Sequence, residues 1–596
     1  MIHALDHQLH HAVLDTFEAT FGKRPSKEQI QIQTTRNEFE GDRTVVVFPL
    51  AGMAGAPPQV AADRLGKALV ETFDWIVKYG VVKGFLNLTL SDESWSTAIQ
   101  DALTDSWGFA PKNSKSQVMV EYSSPNTNKP LHLGHLRNNF LGYSVSKILE
   151  AAGHEVVKVQ IINDRGIHIC KSMVAWQKFG QGETPASTGE KGDKLVGRYY
   201  VAFDKAFKSE IAEGVARGLE AKEAENASPI MQEARSMLQR WEDNDAEVVD
   251  LWKTMNGWVY DGFNATYSDM GVSFDKLYYE SDTYLLGKKH VESGLAQGLF
   301  FRKDDGSIWV DLTEDGLDEK LLLRGDRTAV YMTQDIGTAI LRFQEHPKLD
   351  RQVYTVGNEQ EYHFKVLFLI LKKLGFVQAD QNHHLSYGMV ELPEGKMKSR
   401  EGTVVDADDL LLEMRTKARE ISEELGKVDD FSEKDKVALA RQVGHGALKY
   451  FLLKVAAAKS MMFDPQSSID FFGNTAPFIQ FNVVRCKSIL KSAKVNVSEL
   501  HWSAQTPLDD AERTLAAGVL SFPSVVQEAA DAYDPSVIAN HCYDLIKAFS
   551  SFYQDHPIAK ETDLNTRNMR LALCATVSIT VSNGMSLLGI DMPDRM

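Results

Sequence analysis

The chain has 596 residues, of which 43% are hydrophobic and 25% are charged, the balance of an ordinary globular protein. At ~150 residues per domain this length corresponds to roughly four domains. The formal net charge of −17 disfavours nucleic-acid contact over most of the surface, because phosphate contacts need Lys and Arg.

Residues 1–112 have the pattern of an N-terminal α+β domain. Helical periodicity and strand-like alternation follow one another in segments separated by turn residues. The predicted helices are Ala4–Phe21 and Pro58–Val77, and the predicted strands are Thr44–Leu50 and Gly84–Leu90. The polar stretch Pro111–Ser116 is typical of a linker to the next domain.

A strand, a loop, a helix and a second strand come next. The strand patterns are Gln117–Tyr122 and Val156–Ile162, and the helix lies between them at about Leu133–Ala152. Gly153 stands where a glycine commonly ends a helix. This β-loop-α-β unit predicts a parallel, doubly wound sheet.

The rest of the chain is divided between helices and a few strands. Residues 185–270 are charged and strongly helical, which indicates an insertion between two halves of the sheet. Further strand patterns are Ser307–Leu312, Val330–Met332, Gln352–Val356 and Leu385–Val390. We therefore predict an α/β fold, in which a Rossmann-type doubly wound parallel-sheet domain with that insertion covers residues 113–408 and an all-α helical bundle covers residues 409–596.

Basic residues are concentrated in one segment of the predicted bundle. They are Arg441, Lys449, Lys454, Lys459, Arg485, Lys487, Lys491 and Lys494, against only Asp464 and Asp470. A locally basic face on an acidic protein can bind a structured RNA. An ordinary solvated helix face explains the same pattern equally well.

The loop between the first strand and helix of the sheet domain carries the chemistry. It spans Glu121–His135 and places His132, Gly134 and His135 at the N-terminus of a helix. Free N–H groups and the positive end of the helix dipole bind phosphate there, and Gly134 lets a nucleotide approach the backbone closely. The two imidazoles, on one helical face, can donate hydrogen bonds to phosphate oxygens. The loop therefore predicts a nucleotide-phosphate site.

Other interpretations of the histidines fit less well. A zinc site of His132, His135 and the distant His168 would lack the glutamate of hydrolytic H-E-x-x-H helices. The sequence also contains no G-x-x-x-x-G-K-[ST] loop, so phosphate binding depends on this strand-to-helix junction.

His132-Leu-Gly-His135 resembles the His-Ile-Gly-His signature of class I aminoacyl-tRNA synthetases and related nucleotidyltransferases. The second signature of that fold, a late Lys-Met-Ser-Lys-Ser loop, resembles Lys396-Met397-Lys398-Ser399-Arg400. Both stand in the expected order around a helical insertion.

The wider context resembles the arginyl-tRNA synthetase family. The stretch Ser123–Arg137 reads Ser-Ser-Pro-Asn-x-x-Lys-Pro-x-His-x-Gly-His-Leu-Arg, which is similar to that family in particular. Further similar stretches are Gly84–Leu90, Tyr331–Asp335, Gly446–Lys449, Gly473–Gln480 and Gly589–Met596. The resemblance spans essentially the whole chain.

The resemblance implies a ligase that uses ATP to activate L-arginine and transfers it to tRNA(Arg), releasing AMP and diphosphate. The catalytic residues it implies are His132, His135, Lys129, Lys396 and Lys398, and the further ATP contacts are Gly134 and Met397. Mg²⁺ would travel with ATP, held mainly by its phosphates, so no dedicated protein metal site is expected.

Arginine recognition requires buried carboxylates, because a guanidinium pairs bidentately with planar anions. By family position the arginine-binding residues are Glu121, Ser124, Asn126, Tyr331, Asp335 and Gln360. Compensation of a helix dipole is the alternative role for Asp335, and core packing is the alternative for Tyr331.

The resemblance also implies tRNA contacts. Phe85 and Asn87 are placed at the tRNA elbow, and Tyr553 and the terminal Met596 at the anticodon loop. Aromatic rings commonly read such loops by stacking on unpaired bases.

The sequence departs from the family pattern at two places. Ser399 replaces the second lysine of the late signature, and Lys129 stands where members that lack it carry a lysine instead. The family often has Gly-Asp-Trp-Gly where this chain has Asn163-Asp164-Arg165-Gly166, and we expect only local differences there.

Two other functions stay open at this point. The first is another class I synthetase, for cysteine or glutamate. Cysteine specificity would need zinc ligands, which the scattered Cys170, Cys486, Cys542 and Cys574 do not supply. A catalytically silent tRNA-binding paralogue is disfavoured because both histidines and the lysines at 396 and 398 are present. We expect a monomer in the reducing cytoplasm, with no signal peptide and no membrane contact.

Overall fold

The computed structural model describes residues 4–36, 38–391, 405–424, 428–470 and 472–596, without the side chain of residue 466. The predicted site residues Lys396, Met397 and Lys398 lie outside these ranges. In the described part of the chain, no helix is long and apolar enough to cross a membrane.

The N-terminal part is an antiparallel sheet with helices packed against it. Its elements are α1 (Ala4–Phe21), β1 (Gln31–Thr34), β2 (Arg43–Val46), α2 (Phe48–Ala54), α3 (Pro58–Thr72), β3 (Ile76–Val82), β4 (Phe85–Leu90) and α4 (Asp92–Asp101). The strand order is β1-β2-β4-β3. Leu9, Phe17 and Leu65 lie fully buried between the helices and the sheet.

Two predicted segments in this part end earlier than the sequence pattern indicated. The predicted strand Thr44–Leu50 stops at Val46, and α2 follows with Pro49 in its first turn, where proline is favoured because no backbone N–H is needed. The predicted helix Pro58–Val77 stops at Thr72, because Phe73 is extended and Ile76 begins β3.

The central part is a five-stranded parallel sheet, ordered β12-β11-β5-β6-β7. The first half of this part contains β5 (Gln117–Glu121), α5 (Leu133–Ala151), β6 (Glu155–Ile162), α6 (Ile167–Phe179), α7 (Pro185–Thr188), α8 (Gly192–Ala216), α9 (Ala221–Ala227), α10 (Pro229–Glu242) and α11 (Ala246–Met270). The second half contains β7 (Lys276–Tyr279), α12 (Glu280–Thr283), α13 (Leu286–Ala296), β8 (Phe301–Arg302), β9 (Ile308–Val310), β10 (Lys320–Leu323), α14 (Tyr331–Glu345), β11 (Leu349–Gly357), α15 (Glu361–Lys373), β12 (His383–Tyr387) and β13 (Val390–Glu391).

The order of the strands confirms the predicted doubly wound α/β fold and its helical insertion. From β5 the chain runs outward in one direction through β6 to β7, and later in the other direction through β11 to β12. The crevice at the carboxyl ends of β5 and β11 is therefore the topological switch point, where such sheets bind ligands.

The predicted strand Val330–Met332 is wrong. Val330 is the N-cap of α14, and the helix begins at Tyr331. Ile336, Ile340 and Phe343 form an apolar stripe on this helix, and burial of that stripe outweighs the strand propensity of three residues.

The C-terminal part is helical, as predicted. It contains α16 (Ala407–Glu424), α17 (Glu433–Leu453), β14 (Met461–Met462), α18 (Pro465–Ser468), α19 (Ala476–Ala493), α20 (Asp510–Ala532), α21 (Pro535–Asp555) and α22 (Leu564–Leu587). The bundle packs on α5, where the Ser144 hydroxyl donates to the carbonyl of Leu587 at 2.8 Å. Helix α5 is therefore enclosed between sheet and bundle, and most of its residues are buried.

Arg137 on α5 holds these two parts together. Its side chain is 1% exposed, and its guanidinium donates to the carbonyls of Gly388 at 2.6 Å, Ala457 at 3.1 Å and Lys459 at 2.8 Å. Burial lowers the pKa of Arg137 to about 10, so the group is still charged at neutral pH. Carbonyl dipoles, rather than a carboxylate, compensate this buried charge.

We expect Arg137→Met to lower the stability of the chain by about 3 kcal/mol, because it leaves buried carbonyls without donors. The measurement is the thermal unfolding midpoint together with limited proteolysis around residues 388 and 459. Arg235→Met is the control, since Arg235 is exposed and makes a single bond to Asn226. Equal midpoints for the two variants would contradict the role assigned to Arg137.

Candidate active site

The two signature histidines cap the N-terminus of α5 reciprocally. His132 is the N-cap, and its Nδ1 accepts from the backbone N–H of Gly134 at 3.2 Å. The Nδ1 of His135 accepts from the backbone N–H of His132 at 3.1 Å. The ring centroids are 4.0 Å apart, and a side chain at Gly134 would meet the His132 ring. These contacts fix the orientation of both imidazoles.

Both imidazoles are neutral. Burial, with the nearby charge of Lys129, lowers the pKa of His132 to about 4, and burial lowers the pKa of His135 well below its usual value. A neutral imidazole carries one proton. Because each Nδ1 accepts a hydrogen bond, each proton lies on Nε2. The pair therefore offers two Nε2–H donors at the positive end of a helix, which suits a phosphate group.

The loop before the histidines is held from three elements. The amide of Asn138 accepts from the backbone N–H of Ser123 at 2.6 Å and donates to the carbonyl of Thr355 at 2.7 Å. Ser123 also shares a hydrogen bond with the hydroxyl of Tyr267 at 2.8 Å. Helix α5, strand β11 and helix α11 thus fix one loop at the switch point.

Chain that follows the late signature lies beside the first signature. The backbone N–H of Leu133 donates to the carbonyl of Val405 at 3.1 Å, and that of Ala407 donates to the carbonyl of Leu131 at 3.0 Å. The first described residues after the late signature are therefore neighbours of His132.

Glu121 at the end of β5 is paired inside the protein. Its carboxylate accepts from the guanidinium of Arg342 on α14, and both side chains are buried. The Arg342 guanidinium also lies 4.8 Å from the centre of the Tyr278 ring. The charge of Glu121 is thus already matched before any ligand binds.

Tyr331 and Asp335 lie one turn apart at the start of α14. Tyr331 is 78% exposed, which argues against the core-packing role considered for it. One carboxylate oxygen of Asp335 accepts from the Nε2–H of His363 at 2.6 Å. Gln360 is the exposed N-cap of α15, three residues before His363. The ends of α14 and α15 therefore bring Asp335 and Gln360 to one side of the crevice.

Glu280 was missed by the sequence reasoning. It follows β7 directly, a strand that was not predicted. Burial raises the pKa of Glu280 to about 7, and the negative charges of Asp164 and Asp335 add to this rise while Arg165 opposes it. A buried carboxyl group with acidic neighbours is stabilised by a cation, so Glu280 is a candidate for contact with a cationic ligand.

The Asn163–Gly166 loop is fixed by the helical insertion and by residues in and next to α12. Asp164 is buried, and its carboxylate accepts from the hydroxyls of Ser281 at 2.8 Å and Tyr260 at 3.1 Å. The Arg165 guanidinium lies 3.9 Å from the centre of the Tyr284 ring and pairs with Glu242 at 2.9 Å. The arginine that replaces the family's usual tryptophan is therefore stacked on an aromatic ring.

The other predicted ligand contacts lie along the β5–α5 loop. Asn126 is exposed, Ser124 and Lys129 are half-buried, and the Ser124 carbonyl accepts from the side chain of Asn163 at 3.4 Å. Among the described residues, no group of three His, Cys, Asp or Glu side chains is placed to hold a metal ion.

The residues predicted to contact tRNA differ in accessibility. Phe85 is half-buried and packs edge-on against the half-exposed ring of Phe48, whereas Asn87 is buried and accepts from the hydroxyl of Thr44 at 2.7 Å. Tyr553 is 40% exposed with the Arg485 guanidinium over its ring. Met596 is half-buried against the core of the bundle.

The basic segment of the bundle serves partly as an internal tether. Lys449 donates to the carbonyl of Gly589, Gln480 to that of Asp591 and Lys487 to that of Pro593. These contacts pin the last residues of the chain along α17 and α19. Lys449 is buried. It therefore belongs neither to an RNA-binding surface nor to a solvated helix face, the two interpretations of this segment.

Comparison with known proteins gives two family matches. Residues 98–464 match the family described as tRNA synthetases class I (R), catalytic domain. Residues 479–596 match the DALR anticodon binding domain.

Similar proteins cover almost the whole chain. The arginine–tRNA ligase of Bacteroides fragilis is 52% identical over 590 residues, 98% of each chain. That of Flavobacterium psychrophilum is 53% identical over 581 residues, 96% of each. The solved structure of Thermus thermophilus arginyl-tRNA synthetase has a TM-score of 0.80 and 26% identity, covering 99% of this chain and all of that one. The chain therefore belongs to the arginyl-tRNA synthetase family of the class I aminoacyl-tRNA synthetases.

Proposed function

We propose that this chain is an arginine–tRNA ligase, which activates L-arginine with ATP and transfers it to tRNA(Arg). The observation that carries the proposal is that two chemically different sites lie in one crevice. Neutral imidazole donors stand at a helix N-terminus, and the acidic pair Glu280 and Asp335 lies at the same edge of the sheet. The first suits the phosphates of ATP and the second suits a cationic amino acid.

In the first step an oxygen of the arginine carboxylate attacks the α-phosphorus of ATP. A new P–O bond forms, the bond to the β,γ-diphosphate breaks, and arginyl-adenylate results. In such transfers the protein contributes positioning and charge stabilisation. We assign this to the Nε2–H groups of His132 and His135, to Lys129 and, by resemblance, to Lys396 and Lys398, with Gly134 and Met397 lining the nucleotide.

In the second step a ribose hydroxyl of the tRNA's terminal adenosine attacks the arginyl carbonyl, and AMP leaves. Mg²⁺ is proposed to enter with ATP, bound mainly by its phosphates.

For the arginine side chain we propose Asp335 and Glu280 as the guanidinium partners, with Tyr331 alongside. Asn126, Gln360 and Ser124 are proposed for the backbone of the substrate. Glu121 stays a predicted contact, although its pairing with Arg342 argues that it contributes less net charge than Asp335.

For tRNA we keep Phe85 and Asn87 at the elbow and Tyr553 and Met596 at the anticodon as predictions. Exposure of Tyr553 supports its assignment, whereas the buried amide of Asn87 would need to exchange its bond to Thr44.

The proposed domain boundaries are 1–112, 113–408 and 409–596. The first boundary is supported by β5 beginning at Gln117, and the second falls two residues inside α16, which begins at Ala407. We also propose a monomeric, cytoplasmic enzyme, and the four buried unpaired cysteines support a reducing compartment.

The proposed function predicts that arginine alone among the twenty amino acids supports ATP–diphosphate exchange in the presence of total tRNA. The measurement compares all twenty with and without tRNA. From the family resemblance we expect exchange to require tRNA. Exchange with another amino acid would refute the proposed specificity, and tRNA binding without any exchange would favour a catalytically silent paralogue.

Asp335→Asn should raise the KM for arginine by ~10²-fold, about 3 kcal/mol, because the guanidinium loses its charge-assisted hydrogen bonds to the carboxylate. The KM for ATP should stay unchanged. Asp380→Asn is the matched control, since Asp380 forms only an exposed pair with Lys372. Steady-state arginylation measures the KM for arginine and the KM for ATP in both variants. A wild-type KM for arginine in Asp335→Asn would exclude Asp335 from the pocket.

The low pKa of His132 predicts the pH dependence of adenylate formation. A group that is protonated only near pH 4 stays neutral between pH 6 and 8, so it adds no titration step there. His132→Gln keeps an N–H donor at the same reach and cannot titrate. The rate of adenylate formation by His132→Gln should be lower than that of the wild type at every pH. Above pH 5 its pH–rate profile should have the same shape as the wild-type profile. A wild-type step near pH 6.5 that disappears in His132→Gln would contradict a neutral pair.

A further inference from the structure

His363 contacts the acidic side of the crevice and is not among the residues that the sequence predicts for the site. It lies in the first turn of α15, one turn after Gln360, and its Nε2–H donates to one carboxylate oxygen of Asp335 at 2.6 Å. A carboxylate can only accept, so the ring proton is on Nε2.

The position of the imidazole is itself fixed by packing. Its ring stands edge-on to Phe364, with centroids 5.8 Å apart and planes at 87°. Phe364 in turn stacks on His384 at 4.4 Å and packs against Tyr354 at 5.0 Å. The donor that meets Asp335 is therefore held by an aromatic cluster and does not depend on a ligand.

The hydrogen bond is not needed to join the two helices. Ile336 and Ile340 of α14 and Phe364 and Leu367 of α15 share one hydrophobic core. The side chains of His363 and Asp335 are 25% and 39% exposed, and pairs this exposed add little to stability. What the bond does fix is the rotation of the Asp335 carboxylate about its last torsion.

That rotation matters for a guanidinium ligand. Bidentate pairing requires the carboxylate and the guanidinium to share a plane, with two parallel N–H···O bonds. A carboxylate that rotates must be ordered when the ligand binds, which weakens binding. We propose that His363 is a positioning residue that orients the Asp335 carboxylate for the side chain of arginine; this inference rests on the proposed function.

The experiment measures the arginine KM, the ATP KM and kcat of arginylation for His363→Leu, which removes the donor and keeps an apolar side chain. We expect the arginine KM to rise by ~10-fold, the loss of about one charge-assisted hydrogen bond, with the ATP KM unchanged. His363→Gln places an amide N–H near the position of Nε2 and should restore most of the affinity. His384→Leu is the matched control, because His384 packs on the same Phe364 and donates to the carbonyl of Val356.

A double-mutant cycle with Asp335→Asn separates positioning from a general structural effect. If His363 acts through Asp335, His363→Leu adds no further rise in the arginine KM in the Asp335→Asn background. Full additivity, an equal effect of His384→Leu, or no rescue by His363→Gln would overturn the inference while leaving the proposed function intact. If Asp335→Asn itself has a wild-type arginine KM, the proposed pocket fails and this inference fails with it.

Discussion

A charge moved from water into a protein interior costs several kcal/mol unless other groups compensate it, and this constraint organises the crevice. Arg137 is surrounded by carbonyl oxygens, Arg342 is paired with Glu121, and the Asp164 carboxylate accepts from hydroxyl groups. Each of these charges is compensated within the fold. Glu280 is different, because burial and the nearby carboxylates of Asp164 and Asp335 raise its pKa to about 7. In the proposed function, the guanidinium of arginine is the cation that these carboxyl groups lack.

The helical insertion does more than separate two halves of the sheet. Tyr267 of α11 bonds to Ser123 in the first signature loop, and Tyr260 of the same helix bonds to Asp164. Trp252 and Asn256, also on α11, donate to the carbonyl of Asp164 at 2.6 Å and 3.2 Å. One helix therefore supports the loops that follow β5 and β6. The strand ends alone do not set the geometry of the site.

Local sequence patterns predicted most of the helices and strands, and the wrong predictions also have local causes. The apolar runs of β5 and β6 and the helix between them predicted the parallel sheet. Strands that are buried on both faces read as nearly continuous hydrophobic runs, and parallel strands are of this kind. Val330–Met332 was mistaken for a strand because three residues do not show the period of the helix that follows. Strand β3 was hidden at the end of a helical pattern, and its exposed edge residues do not alternate cleanly.

The site residues also fall into those that the sequence predicts and those that it does not. His132, Gly134 and His135 act within one turn of helix, so their spacing is visible in sequence. Glu280 and His363 are single residues whose roles come from proximity to Asp335, which is distant from both in the chain. Glu280 also follows β7, a strand that the sequence did not predict. The pairing of Glu121 with Arg342 is equally invisible, because any buried carboxylate after a strand fits a ligand role until its partner is seen.

Side chains of the bundle hold residues 589–593 against α17 and α19. Lys449, Gln480 and Lys487 hold the carbonyls of Gly589, Asp591 and Pro593, and Met596 packs against the core. The three donors lie on two helices, and the three carbonyls lie within five residues of one another. A change that removes one donor would therefore loosen the same short segment from both α17 and α19.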